Sequence, residues 1–310
     1  MQFGFRPKSP TTDALLHITI KLSEILEQKK VAIGVAFDFA KAFDGVSHSV
    51  LLKKLHKAHV HGSVLEWFES YLTDREQIVI INKAKSKAVK VASGVSQGSI
   101  LDPLLFLIFI NDLSQGFPPT ITASLVADDV FGLIPLDNFS DFIEVQNFLN
   151  VTADWCVKNG ISFNIKKRFF MPFSNNKLPT QYPPLYLSGE PLLLDSNIKL
   201  LGVHLSHDLT WKFHIDNIAK RCRQMLDAMN RTFRCAPTFI RLHIYKTCIL
   251  PVLAYSCIVF DNDFKTHLSP LTSVHKLAAR MITNNFFANS SDLIQQLKLP
   301  DLEKRRKYFR

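Results

Sequence analysis

Two aspartates stand side by side in Ser124–Phe131 (SLVADDVF), between apolar runs that read as strands, and a third, Asp38, closes the apolar run Val31–Phe37 (VAIGVAF). Adjacent carboxylates raise the energy of each other's ionised forms. An Asp-Asp dipeptide is most often a solvated hairpin turn. The alternative for Asp128 and Asp129 is a divalent cation site, because Mg²⁺ reverses the repulsion and takes hard oxygen ligands. Asp38 lies far upstream, so only a fold can unite the three. If their strands are neighbours in one sheet, a strand end and a turn bring the carboxylates around one point. That suits two Mg²⁺ ions about 3.5–4 Å apart, which clamp the attacking and leaving oxygens of a phosphoryl transfer. Such chemistry depends on positioning and electrostatics.

The elements that must hold these residues follow from pattern. Thr11–Thr12–Asp13 is a helix start, and behind it Leu15, Leu16, Leu22, Ile25 and Leu26 recur at helical spacing. Val31–Phe37, apolar and partly β-branched, reads as a buried strand ending at Asp38. Ser47 opens a helix to about Ala58, and Ser63 opens another carrying Leu65, Trp67, Phe68, Tyr71 and Leu72. Gln77–Asn82 and Ala88–Ala92 alternate as a hairpin. The loop SGVSQGS (Ser93–Ser99) leads into an apolar helix to about Leu113, and Pro118–Pro119 break the chain. Thr120–Ala127 and Val130–Leu133 form strands on either side of the Asp pair. A helix is expected from Ser140 to Asn159, then a strand pair within Ile161–Phe173. The proline-rich Leu178–Pro184 marks a domain boundary. Beyond it come a small β region to about Leu205 and helices near Trp211–Phe233, Phe239–Phe260 and Lys265–Phe286.

The 310 residues suffice for one large domain or two smaller ones, and 47% hydrophobic content with 25 Phe implies a true core. A net charge of +10 and pI near 9.3 favour a polyanionic partner such as nucleic acid. Five cysteines (156, 222, 235, 248 and 257) form no CxxC pair and leave one over under any pairing. They read as reduced thiols of an intracellular protein, not a disulfide frame or zinc site. MQFGFRPKSP has no apolar core of a signal peptide. Ile100–Ile110 and Cys248–Phe260 contain Pro and are too short to span a membrane, so they read as buried elements.

FDFAKAFDGVSHSVLLKKL, SGVSQGSILDPLLFLIFINDL, LVADDV and ISFNIKKRFFM, in this order, resemble the palm motifs of reverse transcriptases of non-LTR (LINE-like, jockey-like) retrotransposons. The opening QFGFRPKSPTTDALL resembles the same elements, as do LLGVHLSHDLTWKFHIDNIAKR and IYKTCILPVLAYSC after the palm. The resemblance covers nearly the whole chain. It implies an RNA-directed DNA polymerase domain performing template-directed nucleotidyl transfer. The implied fold is α+β, an antiparallel palm sheet with packed helices. Residues 1–177 would form partial fingers and palm, and residues 178–310 a small β region and a helical thumb-like region.

Carried over residue by residue, the resemblance makes Asp38 and Asp128 the catalytic, metal-binding carboxylates. Asp129 is the second acid, and the Phe39 carbonyl a further ligand. Phe43 crowds the sugar 2′ carbon and excludes ribonucleotides. Gln97 packs near nucleotide and template, with Gly94 and Gly98 allowing close backbone approach. Lys167 assists pyrophosphate departure, with Lys166 as an adjacent competitor, and Asp44 and His48 are structural. The implied cofactor is a pair of Mg²⁺ ions, with Mn²⁺ as a substitute. The implied partners are an RNA template, a DNA primer and deoxynucleoside triphosphates, in nucleus, cytoplasm or both, with no membrane and no clear protein partner. The chain departs from the family at Val126 (usually aromatic), Ser96 (usually Pro), Asp102 (usually Gly, here expected to disturb the helix start) and Lys167–Arg168 (usually Lys-Thr). It also opens at QFGFR, without the upstream fingers, an endonuclease or a Cys/His knuckle. The chain is therefore expected to extend a primer weakly or not at all, and the alternative reading is a truncated remnant that only binds nucleic acid.

Overall fold

The computed structural model describes residues 1–6, 9–96, 98–138, 141–179, 181–261 and 265–309. They form two compact units, Met1–Ile198 and Lys199–Arg310.

The first unit begins with α1 (Thr11–Glu27), β1 (Val31–Phe39), α2 (His48–Lys57) and α3 (Ser63–Leu72). Four short strands follow as two pairs. β2 (Glu76–Gln77) binds β5 (Val89–Lys90), and β3 (Ile80–Ile81) binds β4 (Ala84–Lys85). Then come α4 (Leu101–Ile110), β6 (Thr122–Val126), β7 (Asp129–Leu136), α5 (Phe142–Asn159), β8 (Phe163–Phe173), β9 (Tyr186–Leu187), β10 (Glu190–Pro191) and β11 (Leu193–Leu194). The main sheet has the order β11-β8-β1-β7-β6, antiparallel except for the β11–β8 edge.

β1 lies at its centre, and its unbroken apolar run is explained by burial on both faces. Gly34 makes the centre of β1 possible, since a Cβ there would stand 2.6 Å from the Phe173 ring and 2.9 Å from the Phe131 ring. The alternate residues Ile33, Val35 and Phe37 of β1 pack in a core with Leu51, Phe106, Phe109 and Phe148.

The structure differs from the sequence reading in two places here. The expected strand pair within Ile161–Phe173 is one strand, β8, which follows β1 along its length with a bulge between Phe37 and Phe39. The basic run Lys166–Arg168 lies inside this strand, with Lys166 and Lys167 exposed and Arg168 buried and paired with Glu190 at 3.1 Å. The segment after the proline-rich stretch also stays with the first unit. β11 adds to β8, Asp195 N–H donates to the Phe170 carbonyl at 3.0 Å, and the Tyr182 ring packs on Phe142 and Phe170. Ser140, the expected start of the helix now seen as α5, lies outside the described residues.

A pair of strands, β12 (Asn197–Leu200) and β13 (Val203–Ser206), carries the chain into the second unit. That unit holds α6 (Lys212–Phe233), α7 (Thr238–Ile244), α8 (Leu250–Ala254), α9 (Cys257–Phe260), α10 (Lys265–Thr283), α11 (Ser290–Gln296) and α12 (Leu302–Phe309). The single helix expected over Phe239–Phe260 is interrupted. A π-helical turn at Tyr245–Ile249 precedes Pro251, which has no N–H to give, and Ser256 at φ 51° breaks the path again.

α6 and α10 enclose two histidines kept neutral by burial. Tyr245 Oη and His275 Nδ1 share a hydrogen bond at 2.6 Å, and His204 N–H donates to His214 Nδ1 at 3.3 Å. Burial pushes both imidazoles down to about 4, with the charge of His204 adding to the effect at His214. A depressed histidine pKa means that the unfolded chain takes up the proton first, so stability is complete above about 6.5 and is lost as pH falls toward 4. The thermal midpoint of the chain is expected to drop across that window, with each histidine contributing roughly 3 kcal/mol at the acid end. Paired His214→Gln and His275→Gln substitutions should flatten this part of a melting-temperature profile. A profile unchanged by both would refute the assignment.

Candidate active site

The residues singled out in the sequence meet at one end of the main sheet. Asp38 pairs in register with Asp129 across β1 and β7, and Val126 pairs with Asp129 across β6 and β7. Ala127 and Asp128 are thus the whole of the connecting turn, and Ala127 adopts the left-handed φ of 55° that so tight a hairpin demands. The turn is held from the opening segment. Gln2 Oε1 accepts from the Ala127 N–H at 3.2 Å and the Gly4 N–H at 2.7 Å, while Phe3 N–H donates to the Leu125 carbonyl at 2.8 Å. Sequence reasoning missed this role of Gln2. Its only signal was its place in QFGFR.

Asp38 is 6% exposed. Lys167 Nζ sits 2.6 Å from Asp38 Oδ2, while Asp38 Oδ1 is buried with no hydrogen-bond partner among the described residues. The carboxyls of Asp38 and Asp128 are within hydrogen-bonding reach of each other. Burial first, then the charges of Asp38 and Asp129, push Asp128 up to about 6 against a backbone hydrogen bond that favours its anion. Asp129 moves the same way through desolvation and the charge of Asp38, opposed by Lys167. Lys167 in turn is raised, chiefly by its hydrogen bond to Asp38.

A buried carboxylate oxygen without a partner, beside a carboxyl disfavoured as an anion, is a donor set that a hard cation would satisfy. Among the described residues no group of three or more His, Cys, Asp or Glu side chains encloses a metal. That is compatible with Mg²⁺, which keeps waters and is held through one or two carboxylates plus substrate phosphates. Asp38 and Asp128 could hold such an ion.

The other predicted residues lie as follows. The Phe39 ring is buried and stacks on Phe163 at 5.5 Å, which fixes the backbone just after Asp38. Phe43 is half-buried in the turn after β1, its ring 4.6 Å from that of Phe106 and 6.4 Å from that of Phe5. Gly94 lies against the same turn at φ 92°, where a Cβ would stand 2.9 Å from both Asp44 Cα and the Asp44 carbonyl oxygen. Its N–H donates to the Val46 carbonyl at 2.8 Å, the Val95 N–H to the Phe43 carbonyl at 3.0 Å, and Ser93 Oγ to the Asp44 carbonyl at 2.9 Å. His48 Nε2 reaches the Gly94 carbonyl at 2.8 Å. Gly98 has φ 97°. Gln97 lies outside the described residues. Lys166 is exposed, and its N–H donates to Asn164 Oδ1.

The departures also have places. Val126 is half-buried beside the turn. Ser96 accepts from Arg75. Asp102 does not disturb its helix. It is 2% exposed, receives the Ser99 hydroxyl at 2.7 Å and returns its own N–H to Ser99 Oγ at 3.1 Å, a reciprocal cap that also puts negative charge in the first turn of α4.

A strand-end aspartate, an aspartate pair in a hairpin turn and a lysine gathered on an antiparallel sheet make the palm arrangement of a nucleic-acid polymerase. The chain belongs to the reverse transcriptase (RNA-dependent DNA polymerase) family, whose model matches residues 1–205. It is 27% identical over 97% of its length to the RNA-directed DNA polymerase from mobile element jockey of Drosophila melanogaster. In the same organism it is 26% identical over 97% to the probable RNA-directed DNA polymerase from transposon BS, and 27% over 96% to that from transposon X-element. It spans 34%, 34% and 33% of the lengths of these relatives.

Proposed function

We propose that this chain is the RNA-directed DNA polymerase domain of a non-LTR retrotransposon, adding deoxynucleotides to a DNA primer on an RNA template. The observation that carries the reading is the buried, unpartnered Asp38 Oδ1 next to the Asp128–Asp129 turn. Asp38 and Asp128 would hold two Mg²⁺ ions, or Mn²⁺ in their place, with Asp129 as the second acid and the Phe39 carbonyl as a further ligand. When bound, the ions supply charge stabilisation for the attacking and leaving oxygens. The chain's own residues do the rest. Phe43 walls the sugar pocket, Gly94 and Gly98 let the backbone approach the nucleotide, and Gln97 contacts nucleotide and template. Lys167 keeps a proton at Nζ for the departing pyrophosphate. The first unit serves as palm with part of the fingers and the second as a thumb-like region, and the protein works inside the cell. Among the described residues no helix is long and apolar enough to cross a membrane.

The direct test is extension of a DNA primer on an RNA template by the purified chain. Weak extension that requires a divalent cation and vanishes in Asp38→Asn is expected. Hybrid binding with no extension by either protein would overturn the catalytic reading and leave a binding remnant.

Two further results are expected. Phe43→Ala should open space beside the sugar and admit ribonucleotides while deoxynucleotide use persists. Unchanged discrimination would make Phe43 a packing residue only. Hybrid affinity should rest on Lys and Arg contacts to phosphate, in keeping with the net charge of +10. With about 6–10 such contacts it should fall roughly 10³–10⁵-fold between about 50 and 200 mM salt, a slope that filter binding reads directly. Binding indifferent to salt would contradict it.

A further inference from the structure

Arg75 stands between α3 and β2, outside every motif that the sequence singled out, yet it holds more of the loop before Gln97 than any motif residue. Its Nη2 donates to the Gly94 carbonyl at 2.6 Å, its Nη1 to Ser96 Oγ and its Nε to the Leu72 carbonyl at 3.2 Å. The fork thus ties the end of α3 to two residues of the loop. The Gly94 carbonyl receives His48 as well, so both ends of this peptide are engaged, the N–H of Gly94 being bound to Val46. The loop already meets the Phe43 turn through Gly94 N–H to Val46, Val95 N–H to Phe43 and Ser93 Oγ to Asp44, and Arg75 adds a charged brace from α3 behind these bonds. Gly94 has no side chain to pack, Ser93 and Ser96 are small and polar, and the contact distance is set by backbone against backbone.

We infer that Arg75 is a positioning residue for nucleotide selection. It presses the 93–96 loop against the Phe43–Val46 turn and thereby fixes the wall that Phe43 presents to the sugar. The guanidinium is suited to this because its three nitrogens reach separated acceptors in a fixed planar fork, where a lysine would have to bring them all to one atom. The inference rests on the reading of Phe43 given above for its functional half, and on the geometry alone for its structural half.

The test therefore has two readouts on the full chain. In hydrogen–deuterium exchange, Arg75→Ala should speed exchange of the Gly94 and Val95 amides at least tenfold, as expected on losing charge-assisted hydrogen bonds, with α10 unaffected. Arg75→Lys, which can keep one bond, should fall between. In single-nucleotide addition, Arg75→Ala should raise KM for the deoxynucleotide more than it lowers kcat, and reduce deoxy-over-ribo preference several-fold. Unchanged exchange at Gly94 and Val95 overturns the inference whatever the activity. Faster exchange with selection intact overturns its functional half, provided that Phe43→Ala alters selection in the same assay. If Phe43→Ala has no effect either, it is the reading of Phe43 that fails.

Discussion

Asp128→Asn is expected to lower the rate of RNA-templated primer extension roughly 10³-fold or more, measured in single turnover against the parent chain. Asparagine keeps the shape of the turn but removes the charge that a divalent ion needs and one of its hard oxygens. The same substitution should have the opposite effect on the empty protein. Burial and the neighbouring charges of Asp38 and Asp129 disfavour an ionised Asp128, so neutralising it relieves a cost that the folded state otherwise carries. In the presence of a chelator the thermal midpoint of Asp128→Asn should therefore rise by a few degrees. Gain of stability with loss of chemistry is the signature of a group held in place for function. Retained extension with a lowered midpoint would make Asp128 an ordinary turn residue.

The carboxylate half of this site was legible in the sequence because it is built from strand ends. A buried strand announces itself by an unbroken apolar run, and the residue that ends the run must lie at the edge of the sheet. Asp38 after VAIGVAF and Asp128–Asp129 after TASLV are therefore readable as edge carboxylates once the strands are known to be neighbours. Lys167 was harder. It sits inside a strand whose polar middle looks like a break, and its approach to Asp38 depends on the bulge in the β1–β8 pairing, which no local pattern encodes.

The supports were not legible at all. Gln2, Arg75 and the Ser99–Asp102 pair act through side-chain hydrogen bonds to distant backbone or to a near neighbour, and residue type alone does not reveal such bonds. The pocket behind Phe39 shows the same limit. Lys54 Nζ donates to Asp112 at 2.7 Å and to the Phe109 carbonyl at 2.5 Å, and Trp155 Nε1 donates to Asp112 at 2.8 Å. This joins α2, α4 and α5 through a cation that looks, in sequence, like one more surface lysine. The break in the Phe239–Phe260 helix was half legible. Pro251 was visible, but the π-turn that accommodates it was not.

Lys167→Met is expected to divide two properties that usually move together, tightening cation binding while slowing extension. In the structure the Lys167 ammonium is the counter-ion of Asp38, at 2.6 Å from Oδ2. A divalent ion that takes Asp38 must compete for that carboxylate, so the ion pair is a cost of loading the site. The side chain of Lys167 is 61% exposed, and solvent screens much of the attraction. The cost is accordingly small, and its removal should tighten Mn²⁺ binding about three- to tenfold in a titration followed by electron paramagnetic resonance. Methionine keeps the length of the aliphatic chain and its packing. Turnover should nevertheless fall by about 10²–10⁴, the contribution of a positioned proton donor, because nothing then protonates the leaving pyrophosphate. Weaker Mn²⁺ binding in the methionine variant would mean that Lys167 shapes the carboxylates and does not compete for them. Unchanged turnover would remove its role as acid. If both expectations hold, the Lys167 ammonium that pairs with Asp38 in the structure would also be the group that gives its proton to the departing pyrophosphate.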